Sequence, residues 1–153
     1  MTEAGTSTGP ETLTPDNQTT RTPADSWVFS SGASSSGVHA DWAGGCAGGF
    51  VGPTLFNGNT AFQWGAQTDC SQTTVIRVGM QIDKCVRDGG PSDFDCSVIA
   101  YNPGNQVAQF YAVTYAQTNC SGTAEYRPTA TDITINHVDY GDVEGNPVQI
   151  ACA

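Results

Sequence analysis

The chain has 153 residues, enough for one domain and too few for two ordinary ones, with fifteen acidic against five basic side chains and a formal charge of −10. That balance argues against nucleic acid or an anionic membrane surface as partner, and no run of about 18 apolar residues exists to insert into a membrane. Charged residues make up only 13%, about half the usual share, so Ser, Thr, Asn and Gln must wet most of the surface.

Residues 1–25 hold eight threonines, three prolines and a single leucine, Leu13. Such a segment buries too little to offset its ordering entropy, which predicts a disordered arm or linker over 1–25 and a folded domain over 26–153. The domain is expected to begin at Trp27-Val28-Phe29. Next, Trp42 to Phe50 carries four glycines in nine residues and reads as a close-packed loop pinned by Cys46. From there the vocabulary is that of strands. Val, Ile and Thr total 37 in the chain, against nine for Leu, Met, Glu and Lys.

Alternation places the strands. Ile76, Val78, Met80 and Ile82 share one face; Tyr111, Val113 and Tyr115 alternate with Ala112 and Thr114; Ile133 and Ile135, then Val148 and Ile150, repeat the pattern. Turn signals fall between them, at Asn57-Gly58-Asn59, Asp88 to Pro91, Asn102-Pro103-Gly104 and Gly145-Asn146-Pro147. The prediction is an all-β protein, an antiparallel Ig-like β-sandwich.

Six well-separated cysteines, none in a CxxC pair, predict three disulfides rather than zinc. Fifteen pairings are open. The preferred set joins sequence neighbours, Cys46–Cys70, Cys85–Cys96 and Cys120–Cys152, because local strand pairing suffices to bring those sulfurs together. Oxidised cysteines imply a secreted or cell-surface protein. Met1 opens onto neither a basic nor an apolar segment, so an export leader is expected outside this sequence.

A resemblance can be placed on this order. Cys70, the strand Ile76 to Ile82, the hairpin to Cys96 and then Cys120-Ser121-Gly122-Thr123-Ala124-Glu125-Tyr126-Arg127 resemble small secreted bacterial proteins, common in actinobacteria, with two disulfides and a C-x-G-x-Y-R-like strand. The likeness spans residues 46–152, and Cys85 and Cys152 depart from it. It implies secretion and fold, and brings no activity with it.

Candidate chemistry is sparse. His39 lies near Ser36 and Asp41, but adjacency in sequence is not a triad and no G-x-S-x-G elbow occurs. His137 reads as a strand-end surface residue, and Asp93, Asp95 and Glu125 are too ordinary in an acidic chain to mark a hydrolase. Calcium is the one cofactor considered, on Asp139, Asp142, Glu144 and Asn146, whose oxygens sit in a glycine-containing stretch read as a loop. Among the aromatics, Trp64 is expected in the core, whereas Trp27 and Trp42, beside Ser/Gly segments, are expected to be exposed for ligand binding; Tyr101, Tyr111, Tyr115, Tyr126 and Tyr140 complete a potential stacking platform. The function expected is a non-catalytic surface module for adhesion, assembly or recognition, with a protein or glycan partner. It can also self-assemble by adding its arm to a neighbour's sheet. The alternatives are a carbohydrate-binding domain and a small hydrolase or hydrolase inhibitor.

Overall fold

The apolar alternation from Ile76 to Ile82 belongs to one long strand that organises the molecule. In a computed structural model, which describes residues 10–15, 23–29, 45–87, 89 and 94–153, that strand is β4, Ala61–Arg87. The others are β1 (Glu11–Leu13), β2 (Ser26–Phe29), β3 (Cys46–Phe56), β5 (Phe94–Asn102), β6 (Val107–Asn119), β7 (Thr123–Ile135), β8 (Val138–Glu144) and β9 (Val148–Ala151). No helix occurs among the described residues.

Register explains the architecture. Along one edge of β4, β6 pairs from Ala61↔Asn119 to Ile76↔Val107, and β5 from Met80↔Asn102 to Arg87↔Phe94. So β5 and β6 lie end to end on that edge. The other edge carries β3, opposite Ala61–Cys70, and β7, opposite Ile76–Cys85. β8 and β9 pair with the far side of β7, and β2 extends β3.

β4 does not run straight. Asp69 faces Tyr111 but Thr74 faces Gln109, so β4 inserts extra residues around Cys70–Thr73, and such a bulge bends a strand. The bend folds the two halves of β4 toward one another. Its start faces Asn119 and its far half faces Glu125, only a short connection away. Phe62 at the start of β4 meets Tyr126, the partner of Lys84, edge-on at 4.8 Å. Phe62, Trp64 and Ala66 from one half and Ile76, Val78, Met80 and Ile82 from the other are buried between the halves. All nine strands therefore join in one curled sheet, a half-barrel, where two separate layers of an Ig-like sandwich were expected. Two edge strands that share one continuous centre strand cannot be told from two sheets by periodicity alone.

The three disulfides pair as the local-contact argument predicts: Cys46–Cys70, Cys85–Cys96 and Cys120–Cys152, with no free cysteine. The first two join residues directly opposite on neighbouring strands. The third ties the end of β6 to the segment after β9, beside the β3–β4 turn, where Ala153 N–H donates to Asn59 O at 2.8 Å. Removing the Cys85–Cys96 bridge as a Ser/Ser variant should cost about 3 kcal/mol, because it closes a short loop of 11 residues. Urea denaturation of the oxidised variant measures this.

The expected arm needs correction where it is described. Glu11–Leu13 is strand β1, parallel to β2, with Leu13 fully buried; Ala24 is buried as well, and its N–H donates to Glu144 O at 3.0 Å. The dozen residues from Thr14 to Asp25 are long enough for a parallel connection. Residues 1–9 and 16–22 lie outside the described set.

Candidate functional site

Trp27, expected at the surface, has no exposed area. β2 alternates so that Trp27 and Phe29 face inward, and the indole lies across Gly48 of β3, where an added Cβ would stand 2.0 Å from Nε1. Only glycine allows that approach. Phe50 closes on the ring edge-on at 5.2 Å. The Ser/Gly neighbourhood in sequence misled because the residues that cover Trp27 come from the following strand. Trp42 and His39 lie outside the described residues; Trp64 is buried as expected.

The acidic stretch is also different from its expectation. Asp139, Asp142 and Glu144 sit on strand β8, not on a loop. Asp139 Oδ1 accepts the Gly141 N–H at 2.8 Å, and Asp142 Oδ1 accepts the Asp132 N–H at 2.9 Å. Glu144 stands 3.5 Å from Arg127 Nη1, and Asn146 Nδ2 donates to Asp25 Oδ1 at 3.3 Å. A strand advances about 3.4 Å per residue and alternates its faces, whereas calcium gathers six to eight oxygens around one point. The four side chains do not converge, and no cluster of three or more His, Cys, Asp or Glu able to hold a metal occurs among the described residues. His137 is exposed in the turn before β8, Asp95 is exposed on β5, and Glu125 pairs with Arg87 at 3.0 Å; Asp93 is outside the described set.

The tyrosines divide. Tyr126 and Tyr140 are buried, and burial pushes both phenols above their ordinary value of 10.0. Tyr101, Tyr111 and Tyr115 are exposed, and they share β5 and β6 with Val98, Ile99 and Phe110. On β6 the period is as predicted, with the small side chains inside. Ala112, Thr114 and Ala116 face Thr68, Ala66 and Trp64 across the pair, where Phe62 and Trp64 already fill the interior. Tyr111, Val113 and Tyr115 are left on the outer face.

Between β5 and β6 the chain leaves β4, and the break builds a groove of about 460 Å³. Pro103 has no N–H to continue the ladder, and Gly104 turns with φ +71°. Asn102 clamps the turn from both ends of its amide: Oδ1 accepts the Gly104 N–H at 3.0 Å, and Nδ2 donates to Tyr115 O at 2.8 Å. Arg77 Nε donates to Pro103 O at 3.2 Å, and Thr114 Oγ1 donates to Val78 O at 2.6 Å. A Cβ on Gly104 would stand 2.2 Å from Val78 O, so this turn cannot accept a side chain.

The groove is lined by Asn102, Gly104 and Asn105 of the turn, by Val107 and Gln109 at the start of β6, and by Tyr111 to Tyr115 further along that strand. No lining residue is charged. Across 94–119 the only charged side chain is Asp95. The site offers ring faces, amides and hydroxyls on a fixed frame, which is the chemistry of binding. Of its parts, Tyr111 and Tyr115 are legible in the sequence as aromatics and Asn102-Pro103-Gly104 as a turn. That they meet was not visible, because it depends on the bend of β4. No protein-family model matches the sequence, and no curated protein matches it.

Proposed function

We propose that this protein is a secreted, non-catalytic surface module for recognition or adhesion that takes its ligand in the β5–β6 groove. The observation that carries the reading is the groove itself: two exposed tyrosines and the amides of a clamped turn and of Gln109 line one uncharged groove, in a chain of net charge −10. Natural proteins commonly blunt exposed edge strands with charge, and among the described residues Tyr101, Phe110, Tyr111 and Tyr115 are exposed on β5 and β6, where Asp95 is the single charged side chain. Three disulfides support an oxidising, extracellular setting. In that setting the crosslinks hold a small domain rigid, so the groove keeps its shape with little ordering on binding.

A Tyr111→Ala/Tyr115→Ala variant tests this. Tyr111 is half exposed while the Tyr115 ring lies over Gly65, so stability should fall by no more than about 2 kcal/mol and the fold should be kept. Retention of the oxidised protein on bacterial envelopes, plant cell walls or animal extracellular matrix, read by quantitative pull-down, should fall about tenfold or more. Equal retention of parent and variant on every surface defeats the proposal.

A further inference from the structure

We infer that the ligand of this groove is a neutral oligosaccharide, bound in extended form along β6 with its rings against Tyr111 and Tyr115. The inference rests on the recognition role proposed above and adds the ligand's chemistry.

Charge narrows the field first. An anionic ligand would approach a chain of net charge −10 and find no cation in the groove; a cationic ligand would find no carboxylate there. What remains is a neutral molecule that satisfies amides and phenols. Asn105, Gln109 and the two tyrosine hydroxyls have no partner among the described residues, whereas Asn102 is engaged at both ends. The open groups present donors and acceptors together, the pattern that a hydroxyl-rich ligand matches because each hydroxyl both donates and accepts.

Spacing gives the shape. Tyr111 and Tyr115 share the outer face four residues apart, roughly 13 Å along a strand. A single sugar ring cannot span that distance, and a chain of several can. Pyranose rings carry C–H bonds on their faces and hydroxyls on their rims, so one ligand can stack on tyrosine and reach the amides that line the same groove.

An added peptide strand is the competing occupant of the β6 edge, and the Asn102 turn interrupts it at Tyr115. Strand addition needs a run of free backbone groups. The Tyr115 carbonyl already accepts from Asn102, and the turn that carries Asn102 is held by the Arg77 bond to Pro103 and by the close seat of Gly104 on Val78.

Isothermal titration of the oxidised full chain with cellohexaose, xylohexaose, mannohexaose, maltohexaose and chitohexaose tests the inference, with polygalacturonate as the anionic counterpart. At least one neutral hexasaccharide should bind with Kd at or below about 1 mM. Its disaccharide should bind about tenfold more weakly or worse, as should Tyr111→Ala and Gln109→Ala with the hexasaccharide. Val148→Ala, exposed on β9, should bind as the parent does. Binding to none of the five, binding that Tyr111→Ala leaves intact, or equal binding of polygalacturonate overturns the inference. If no sugar binds while surface retention still depends on Tyr111 and Tyr115, the recognition role stands and the saccharide assignment alone is lost.

Discussion

Trp27→Ala should destabilise the protein by about 3–5 kcal/mol, the range for emptying a buried aromatic site. The ring has no exposed area, seats on Gly48 and packs edge-on against Phe50. β2 has only four residues, and β1 joins the sheet through it, so losing the indole loosens two strands together. Collapse around the gap is limited because β3 is held at Cys46 by its bridge to Cys70. Urea denaturation followed by circular dichroism measures the loss. Trp27→Phe should cost less, since it retains much of the packing and removes an indole N–H that is buried without a hydrogen bond. A ligand-binding tryptophan would behave in the opposite way, with binding lost and stability kept. A loss smaller than about 1 kcal/mol would return Trp27 to the surface.

Arg127→Met should cost a similar 3–5 kcal/mol, for an electrostatic reason. Asp83 is buried on β4 directly opposite Arg127 on β7, and its Oδ2 accepts from Arg127 Nε at 3.0 Å and Nη2 at 2.6 Å. Gln81 Nε2 donates to the other oxygen at 2.9 Å. With the guanidinium gone, a carboxylate is left buried with one neutral side-chain donor. Attraction within the intact pair does little beyond repaying desolvation, so removing both charges should be far milder than removing one. Asp83→Asn/Arg127→Met is therefore expected to recover most of the loss, and a double-mutant cycle reads the coupling. Additive losses from the two single variants would sink this account.

That pair also assigns a role to the Tyr126-Arg127 end of the motif following Cys120. Tyr126 fills the core against Phe62, and Arg127 neutralises Asp83. Glu125, one residue before, pairs with Arg87 across the same strands. The motif is a device for docking β7 on β4, and the groove lies elsewhere.

Much of the architecture is legible along the chain because its causes are local. A two-residue period needs only neighbouring side chains, so Ile76 to Ile82 and Ile133 to Ile135 declare strands with their buried faces. Cysteines on adjacent strands need only a hairpin to meet, which accounts for Cys46–Cys70 and Cys85–Cys96; Cys120–Cys152 joins the ends of strands that do not pair, and depends on how β7 and β9 return to the β3–β4 turn. Composition likewise carries the charge, the scarcity of helix formers and the even number of cysteines.

Other features depend on partners distant in sequence. Whether Tyr111 or Ala112 turns inward is settled by Trp64 and Phe62, which occupy the interior opposite and leave room only for small side chains. Trp27 is covered by Gly48 and Phe50, whose positions follow from the register of β3. The groove exists because extra residues near Cys70–Thr73 bend β4, bringing Thr114 to Val78 and the Asn102 turn to Tyr115. Periodicity records which side chains share a face. It holds no information on how far a strand bends, and that bend sets where the β5–β6 turn meets the middle of β6.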